Sequence, residues 1–154
     1  MSDADDLTRE IEAQQERLVF SGFDHDDAWR LGSILVERAG DKPVLIDIRR
    51  PGLILFRAAR TGSTPDNEEW VRRKTAGVFR FETSSMLLQL RFAALGTFPA
   101  SIGWFDPAQI ATAGGSFPIR VAGVGVVAAA TVSGLSSEED HRLVVDAISE
   151  FLGV

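Results

Sequence analysis

Three charged residues lie at positions that a folded chain would point into its interior. Lys74 falls in the middle of the apolar face of a predicted helix, and Asn67 lies on the same face. Asp140 falls near the centre of the apolar stripe of the last helix, and Asp47 projects from a strand interior. Because an isolated buried charge is very costly, each of these residues needs a partner or a wet cavity.

Two interpretations of these charges stay open. In the first, Lys74 pairs with Asp140 or with Asp47, and the buried pair fixes a helix against the sheet. In the second, Lys74, Asn67, Asp47 and Asp140 line a pocket between helix and sheet, where a lysine of shifted pKa meets a ligand.

A basic set of arginines adds a possible anion site. Arg49, Arg50, Arg72 and Arg73 can each bind a carboxylate or phosphate through two hydrogen bonds. They lie in the segment 49–91, which holds nine basic and four acidic residues in a chain of net charge −6. The alternative is a set of surface salt bridges, each of which contributes little to stability.

The two histidines, His25 and His141, are candidates for a haem axial ligand or a general base. No H-x-H or H-E-x-x-H spacing is present, and the chain has no cysteine, so the sequence predicts no built-in metal site. Gly114-Gly115 lacks the spacing of the phosphate-binding motifs and is interpreted as a turn.

Length and composition bound the kind of protein. A chain of 154 residues, 45% of them hydrophobic, predicts one domain spanning residues 1–154 with a substantial core. The absence of cysteine and of a signal-like N-terminus indicates a cytoplasmic protein. The acidic net charge argues against a nucleic-acid partner, and the longest apolar run, residues 121–132, is too short to cross a membrane.

Apolar spacing and capping residues predict the helices and strands. The helices run from a cap at Asp5 or Asp6 to about residue 15, then over residues 24–40, 65–81, 86–95 and from a cap at Ser136 to the end of the chain. The strands cover residues 44–50, 53–58, 117–121 and 124–132. Residues 18–20 form a short strand or an extended connector, and residues 96–105 form an irregular loop. The strand 124–132 is apolar on both faces and rich in small residues, which predicts a central strand against which another backbone or a partner subunit packs closely.

Five segments together resemble one known family. They are DIRR (47–50), TPDNEEWVRRK (64–74), RFETSS (80–85), GGSFPIRVAGVGV (114–126) and VSGLSSEEDH (132–141). In this order they resemble the haem-degrading-domain family that includes HbpS, GlcG and the C-terminal domain of PduO. The similarity covers about residues 7–152 and is strongest to a branch of small stand-alone bacterial and fungal proteins.

The resemblance implies a profilin-like α+β fold, with an antiparallel sheet of about five strands flanked by helices. It also implies homo-oligomers and an association with haem or corrinoid binding. It supplies no haem-ligand motif that matches this chain, so His25 and His141 are candidates from the residues alone.

Three functional hypotheses follow. The first is a cytoplasmic, oligomeric binding protein for haem, another tetrapyrrole or another small anionic ligand, which serves haem or iron sensing or storage. The second is a non-enzymatic scaffold that binds a protein partner and whose interior charges are structural. The third is an enzyme that uses Lys74 or His141 as an acid or base; it is the least favoured, because no complete set of nucleophile, base and orienting group is visible.

Overall fold

The computed structural model describes residues 2–96 and 101–154. Its helices are α1 (Asp3–Arg17), α2 (His25–Ala39), α3 (Pro65–Phe81), α4 (Ser85–Ala94) and α5 (Ser137–Leu152). Its strands are β1 (Val19–Phe20), β2 (Leu45–Arg50), β3 (Leu53–Ala59), β4 (Ser116–Val121) and β5 (Gly125–Ser133). The predicted loop 96–105 lies partly outside the described residues, at positions 97–100.

The strands form one sheet in the order β1-β4-β5-β2-β3. β4, β5, β2 and β3 pair antiparallel with one another, and β5 is the central strand. This sheet, with its flanking helices, confirms the predicted five-stranded α+β fold. The two-residue strand β1 pairs parallel to β4, so the sheet is mixed at that edge. Periodicity could not reveal this pairing, because two residues are too few to show a direction.

Capping residues set the helix ends much as predicted. Asp24 and Asp27 form a capping box at the start of α2, and Gly40 ends that helix at a φ of 55°. The first helix begins earlier than predicted, because the hydroxyl of Ser2 caps it and Asp5 completes the box. Asp5 therefore lies within the first turn of α1, where its charge suits the helix dipole.

One face of the sheet carries the apolar core. Its residues alternate along each strand, and α2 and α5 cover them. From the strands they include Ile46, Ile48, Phe117, Ile119, Ala128, Ala130 and Val132, and from the helices Leu31, Leu35, Val144, Ala147 and Ile148. This continuous apolar layer provides most of the driving force for folding.

The opposite face lies under α3 and carries buried polar side chains. Thr131 of β5 donates a hydrogen bond to the hydroxyl of Ser116, at 2.8 Å, and lies 3.2 Å from the hydroxyl of Thr75 on α3. The hydroxyl of Ser85, at the start of α4, accepts a hydrogen bond from the Ser116 backbone. Because each of these hydroxyls has a partner, the polar layer can be buried at little cost.

Candidate functional site

Lys74 and Asp140 form a buried ion pair where α3 meets the start of α5. The lysine Nζ lies 3.1 Å from Asp140 Oδ2 and 3.2 Å from the carbonyl oxygen of Val132 in β5. The two side chains are 4% and 2% exposed, so the pair is screened from bulk water. Of the two partners left open by the sequence, Lys74 therefore takes Asp140 and not Asp47.

The backbone around this pair leaves no room for further side chains. Gly115 has a φ of 132°, and a Cβ there would lie 2.3 Å from the Val132 carbonyl oxygen and 2.8 Å from Lys74 Nζ. The other carboxylate oxygen of Asp140 accepts a hydrogen bond from the backbone of Leu135 at 3.0 Å. The glycine that reads as a turn residue in the sequence thus also lets the sheet approach the ion pair.

Burial shifts both groups of the pair toward their neutral forms. It lowers the pKa of the Lys74 ammonium, and the charge and hydrogen bond of Asp140 oppose that shift. Burial likewise raises the pKa of the Asp140 carboxyl, and Lys74 opposes it. The proton between these two groups is therefore held less firmly by the lysine than it would be in water.

Lys74 and Asp140 also line a surface cavity of about 300 Å³. The other polar groups of its lining come from Asn67, Ser133 and Ser137, and Trp70 supplies an aromatic wall. Asn67 Oδ1 accepts a hydrogen bond from the backbone of Thr64, which leaves the amide nitrogen to face Ser133 Oγ at 3.5 Å. The cavity is consequently rich in hydrogen-bond donors and has one ammonium group at its edge.

Asp47 lies elsewhere on the polar face and is neutralised by two arginines. Arg49 binds both of its carboxylate oxygens, at 2.7 and 2.8 Å. Arg57, which is paired with Asp47 across the hairpin, donates two further hydrogen bonds to Oδ2 and also binds Glu68. Asp47 does not line the cavity beside Lys74.

The remaining arginines of the basic set do not converge with Arg49 on one site. Arg72 binds Glu69 together with the Ala108 carbonyl and Gln109, and the guanidinium of Arg73 lies 4.4 Å from the centre of the Trp70 ring. Arg50 is exposed at the end of β2. These contacts match the surface interpretation more closely than a shared anion site.

The two histidines have contrasting surroundings. His25 is exposed at the first position of α2. His141 is 5% exposed, its Nε2 lies 2.9 Å from Gln14 Oε1 of α1, and its Nδ1 has no partner among the described residues. Burial, with the nearby charge of Arg142, lowers the pKa of His141 to about 4. Neither histidine lines the cavity beside Lys74.

Several residues of the site region escaped the reasoning from sequence. Arg57 could be predicted from the sequence, because a hairpin through Pro51-Gly52 places it near Asp47. Ser133, Ser137 and Trp70 meet only because β5 ends where α5 begins and α3 passes, and Gln14 reaches His141 only because α1 packs against α4 beside α5. Such contacts between distant segments leave no periodic trace in the sequence.

Within residues 2–96 and 101–154, no three His, Cys, Asp or Glu side chains are grouped so that they could hold a metal ion. No helix in the same part of the chain has the length and hydropathy needed to cross a membrane.

Comparison with family models gives one match. Residues 23–149 match the family described as "Haem degrading protein HbpS-like". Among curated proteins, the UPF0303 protein of Streptomyces coelicolor is 53% identical over 146 residues, which cover 94% of this chain and 92% of that protein. The UPF0303 protein of Rhizobium meliloti is 45% identical over 152 residues, covering 97% of this chain and 92% of that protein.

Solved structures share the fold. The Ybr137w protein superposes with a TM-score of 0.88 at 31% identity, over 95% of this chain and 87% of its own. The PduOC:Heme complex superposes with a TM-score of 0.71 at 20% identity, over 83% of this chain and 94% of its own. HbpS gives a TM-score of 0.66 at 21% identity, over 86% of this chain and 91% of its own.

Proposed function

This chain belongs to the HbpS-like haem-degrading family, and from that premise we propose that it is a non-enzymatic, cytoplasmic, homo-oligomeric binding protein for a small anionic ligand. Haem or a related tetrapyrrole is the first ligand to test, because the matching family is described by haem and one protein of this fold was solved with it. One observation carries the proposal: the nearly buried Lys74–Asp140 pair lies in the wall of a surface cavity of about 300 Å³.

The cavity is suited to an anion by its donors. An ammonium, an amide nitrogen and two hydroxyls lie around it, and a ligand carboxylate would replace the water that these groups bind. Its volume of about 300 Å³ is at the lower end of ligand pockets, which span about 300–1,000 Å³. The cavity therefore fits a small carboxylate. A haem bound through His25 would lie on a different surface, because α2 begins beside Phe151 at the C-terminal end of α5, about 20 Å along that helix from the cavity at its first turn.

The histidines would serve a haem ligand differently. His25 is exposed and can reach iron without rearrangement, whereas His141 can do so only if the contact with Gln14 opens. We therefore assign the iron-ligand role to His25 first and to His141 second. The basic set at Arg49, Arg50, Arg72 and Arg73 would attract anions to the surface at long range.

The test is a titration of the purified protein with haemin, followed by visible absorption. We expect a saturable, stoichiometric Soret shift that His25→Ala abolishes and His141→Ala leaves in place. If haemin gives no saturable shift, and calorimetry detects no binding of a small carboxylate such as acetate or pyruvate, the proposed function is wrong.

Oligomerisation would use the exposed edge of the sheet at β3. This terminal strand exposes Leu53 and Ile54, and Trp29 lies beside it with 60% of its surface exposed and its ring against Phe56. An unpaired strand edge with apolar side chains is a template for a second copy. Light scattering should give the mass of an oligomer for the wild type and a smaller mass for Ile54→Glu.

The same apolar edge favours a second function, a protein-interaction scaffold whose interior charges are structural. In that case the surface of the oligomer would bind another protein. Neither haemin nor a small carboxylate would then bind, and replacing Lys74 would alter stability alone.

A further inference from the structure

Lysine is rare in this chain, and one of its two lysines is buried. Fourteen arginines accompany only Lys42 and Lys74. In the described part of the chain, Lys74 is the one lysine or arginine that is buried, and Lys42 is exposed. The distinction matters chemically, because a guanidinium keeps its proton whereas a buried amine can lose it and become a nucleophile.

The contacts of Lys74 Nζ allow its proton to pass to Asp140. The nitrogen donates to two acceptors in the protein, Val132 O at 3.2 Å and Asp140 Oδ2 at 3.1 Å. Transfer of the shared proton to Oδ2 converts the ion pair into a neutral amine beside a carboxylic acid, and burial favours that form. The nitrogen lone pair can attack a carbonyl carbon once the carboxyl turns its proton toward the carbonyl oxygen.

The cavity offers groups that would hold the rest of a small substrate. The amide of Asn67 and the hydroxyls of Ser133 and Ser137 can donate to a carboxylate while the amine faces an adjacent carbon. Asp140 is within hydrogen-bonding distance of the nitrogen and can both give and take a proton there.

From this geometry we infer that Lys74 captures a small carbonyl compound that also bears a carboxylate, such as an α-keto acid, as a reversible imine. The inference rests on the proposed function, since it names the class of small anion that occupies the same cavity. The capture is covalent binding, and it requires no oxidant or cofactor.

The atoms and charges balance as follows. The Nζ lone pair forms a bond to the carbonyl carbon, and the electron pair of the C=O double bond moves to oxygen, which takes the proton of the Asp140 carboxyl. The nitrogen then returns one proton to Asp140, which gives a neutral carbinolamine. Asp140 protonates the hydroxyl group, water leaves, and the nitrogen lone pair forms the C=N bond. The product is an iminium ion beside the Asp140 carboxylate, a charge pair equivalent to the original one.

Reductive trapping tests the inference. The wild-type protein is incubated with pyruvate and sodium cyanoborohydride at pH 7, and the adduct is located by peptide mapping. We expect labelling of Lys74 to exceed labelling of exposed Lys42, because the amide and hydroxyl groups around the cavity hold the carboxylate beside the amine. Acetone, which lacks the carboxylate, should label Lys74 far less.

The second lysine supplies a matched control. Lys42→Arg should keep the adduct at Lys74, and Lys74→Arg should lose it while keeping a positive charge beside Asp140. Mapping on the wild type needs no variant to fold. Equal labelling of the two lysines, or labelling of Lys42 and the N-terminus alone, would overturn the inference.

Calorimetry with pyruvate separates the two proposals. Binding of pyruvate without a trapped adduct at Lys74 would refute imine formation and leave small-anion binding in place. Absence of binding by pyruvate, acetate and haemin would refute both.

Discussion

The two faces of the sheet use the same strands for opposite purposes. On β5, Ala128, Ala130 and Val132 enter the apolar core under α2 and α5, whereas Thr131 and Ser133 point to the polar layer under α3. On β2, Ile48 belongs to the first face and Asp47 to the second. Because side chains alternate along a strand, neighbouring residues belong to different layers. One layer stabilises the fold, and the other carries ionisable groups.

This difference shows which face of the sheet carries the buried charged residues. The apolar face is built from aliphatic and aromatic side chains, and their burial away from water stabilises the fold without specifying a ligand. The polar face has Asp47 and Lys74 buried, and each lies in a network of partners. The Lys74 network borders a cavity, so the candidate function is placed there.

The largest expected effect comes from breaking the ion pair on one side. Lys74→Met leaves the Asp140 carboxylate buried without its partner, and we expect it to lower the free energy of unfolding by about 3–5 kcal/mol. Urea denaturation at neutral pH measures the change. The combined Lys74→Met/Asp140→Leu variant should recover most of the loss, because both charges are gone.

If the combined variant were as unstable as Lys74→Met alone, Lys74 and Asp140 would not act as a unit. The polar face would then not depend on their pairing.

The apolar face is tested by truncating its centre. Ile46→Ala removes a fully buried side chain and should lower the free energy of unfolding by about 2–5 kcal/mol, through lost burial and the cavity left behind. Val124→Ala, at an exposed position in the turn between β4 and β5, serves as the control and should change it little. Ile46→Ala should leave pyruvate and haemin binding intact in the folded protein, since it lies on the face away from Lys74.

The next prediction concerns Gly115, where the backbone lies close to the Lys74–Asp140 ion pair. Gly115→Ala should lower the free energy of unfolding by about 3 kcal/mol, because its Cβ meets the Val132 carbonyl and the backbone conformation is strained. At Gly123, φ is 75° and an added Cβ would lie in open space, so Gly123→Ala should lower the free energy of unfolding by only about 1 kcal/mol. Equal midpoints for the two variants in thermal denaturation would contradict the tight packing described at Gly115.

The smallest expected effect is a pH dependence from His141. Its pKa in the folded protein is about 4, below the value of about 6.5 in the unfolded chain, so protonation favours unfolding. Neutral His141 makes its full contribution to the free energy of unfolding above pH 6.5. That contribution, about 2–3 kcal/mol in total, is lost as the pH falls toward 4. Urea denaturation at pH 7.5 and pH 5 should show this loss for the wild type and a smaller one for His141→Gln.

Much of the fold was predictable because local signals agree. The capping residues Asp24 and Ser136, the proline at the start of α3 and the alternation along β4 each indicate the observed element. The interior positions of Lys74 and Asp140 follow from helical spacing, and the structure confirms their burial. The choice between Asp47 and Asp140 as partner could not be made, since it depends on how α3 crosses the sheet.

The candidate site was less accessible to prediction. Its cavity forms where β5 ends, α5 begins and α3 passes, and the sequence contains no pattern for such a meeting. The burial of His141 depends on α1, which docks through Ile11 against Met86 and Leu87 in a separate small core. The binding roles of the predicted site residues remain proposals that ligand measurements must test.

The most direct test of the account is a calorimetric titration with pyruvate of the wild type and of the Lys74→Met/Asp140→Leu variant, each checked for folding. The account predicts saturable binding to the wild type and none to the variant, which should be about as stable as the wild type. Binding of equal affinity to both proteins would show that the pair is only structural, and would contradict the claim that the polar face holds the ligand site.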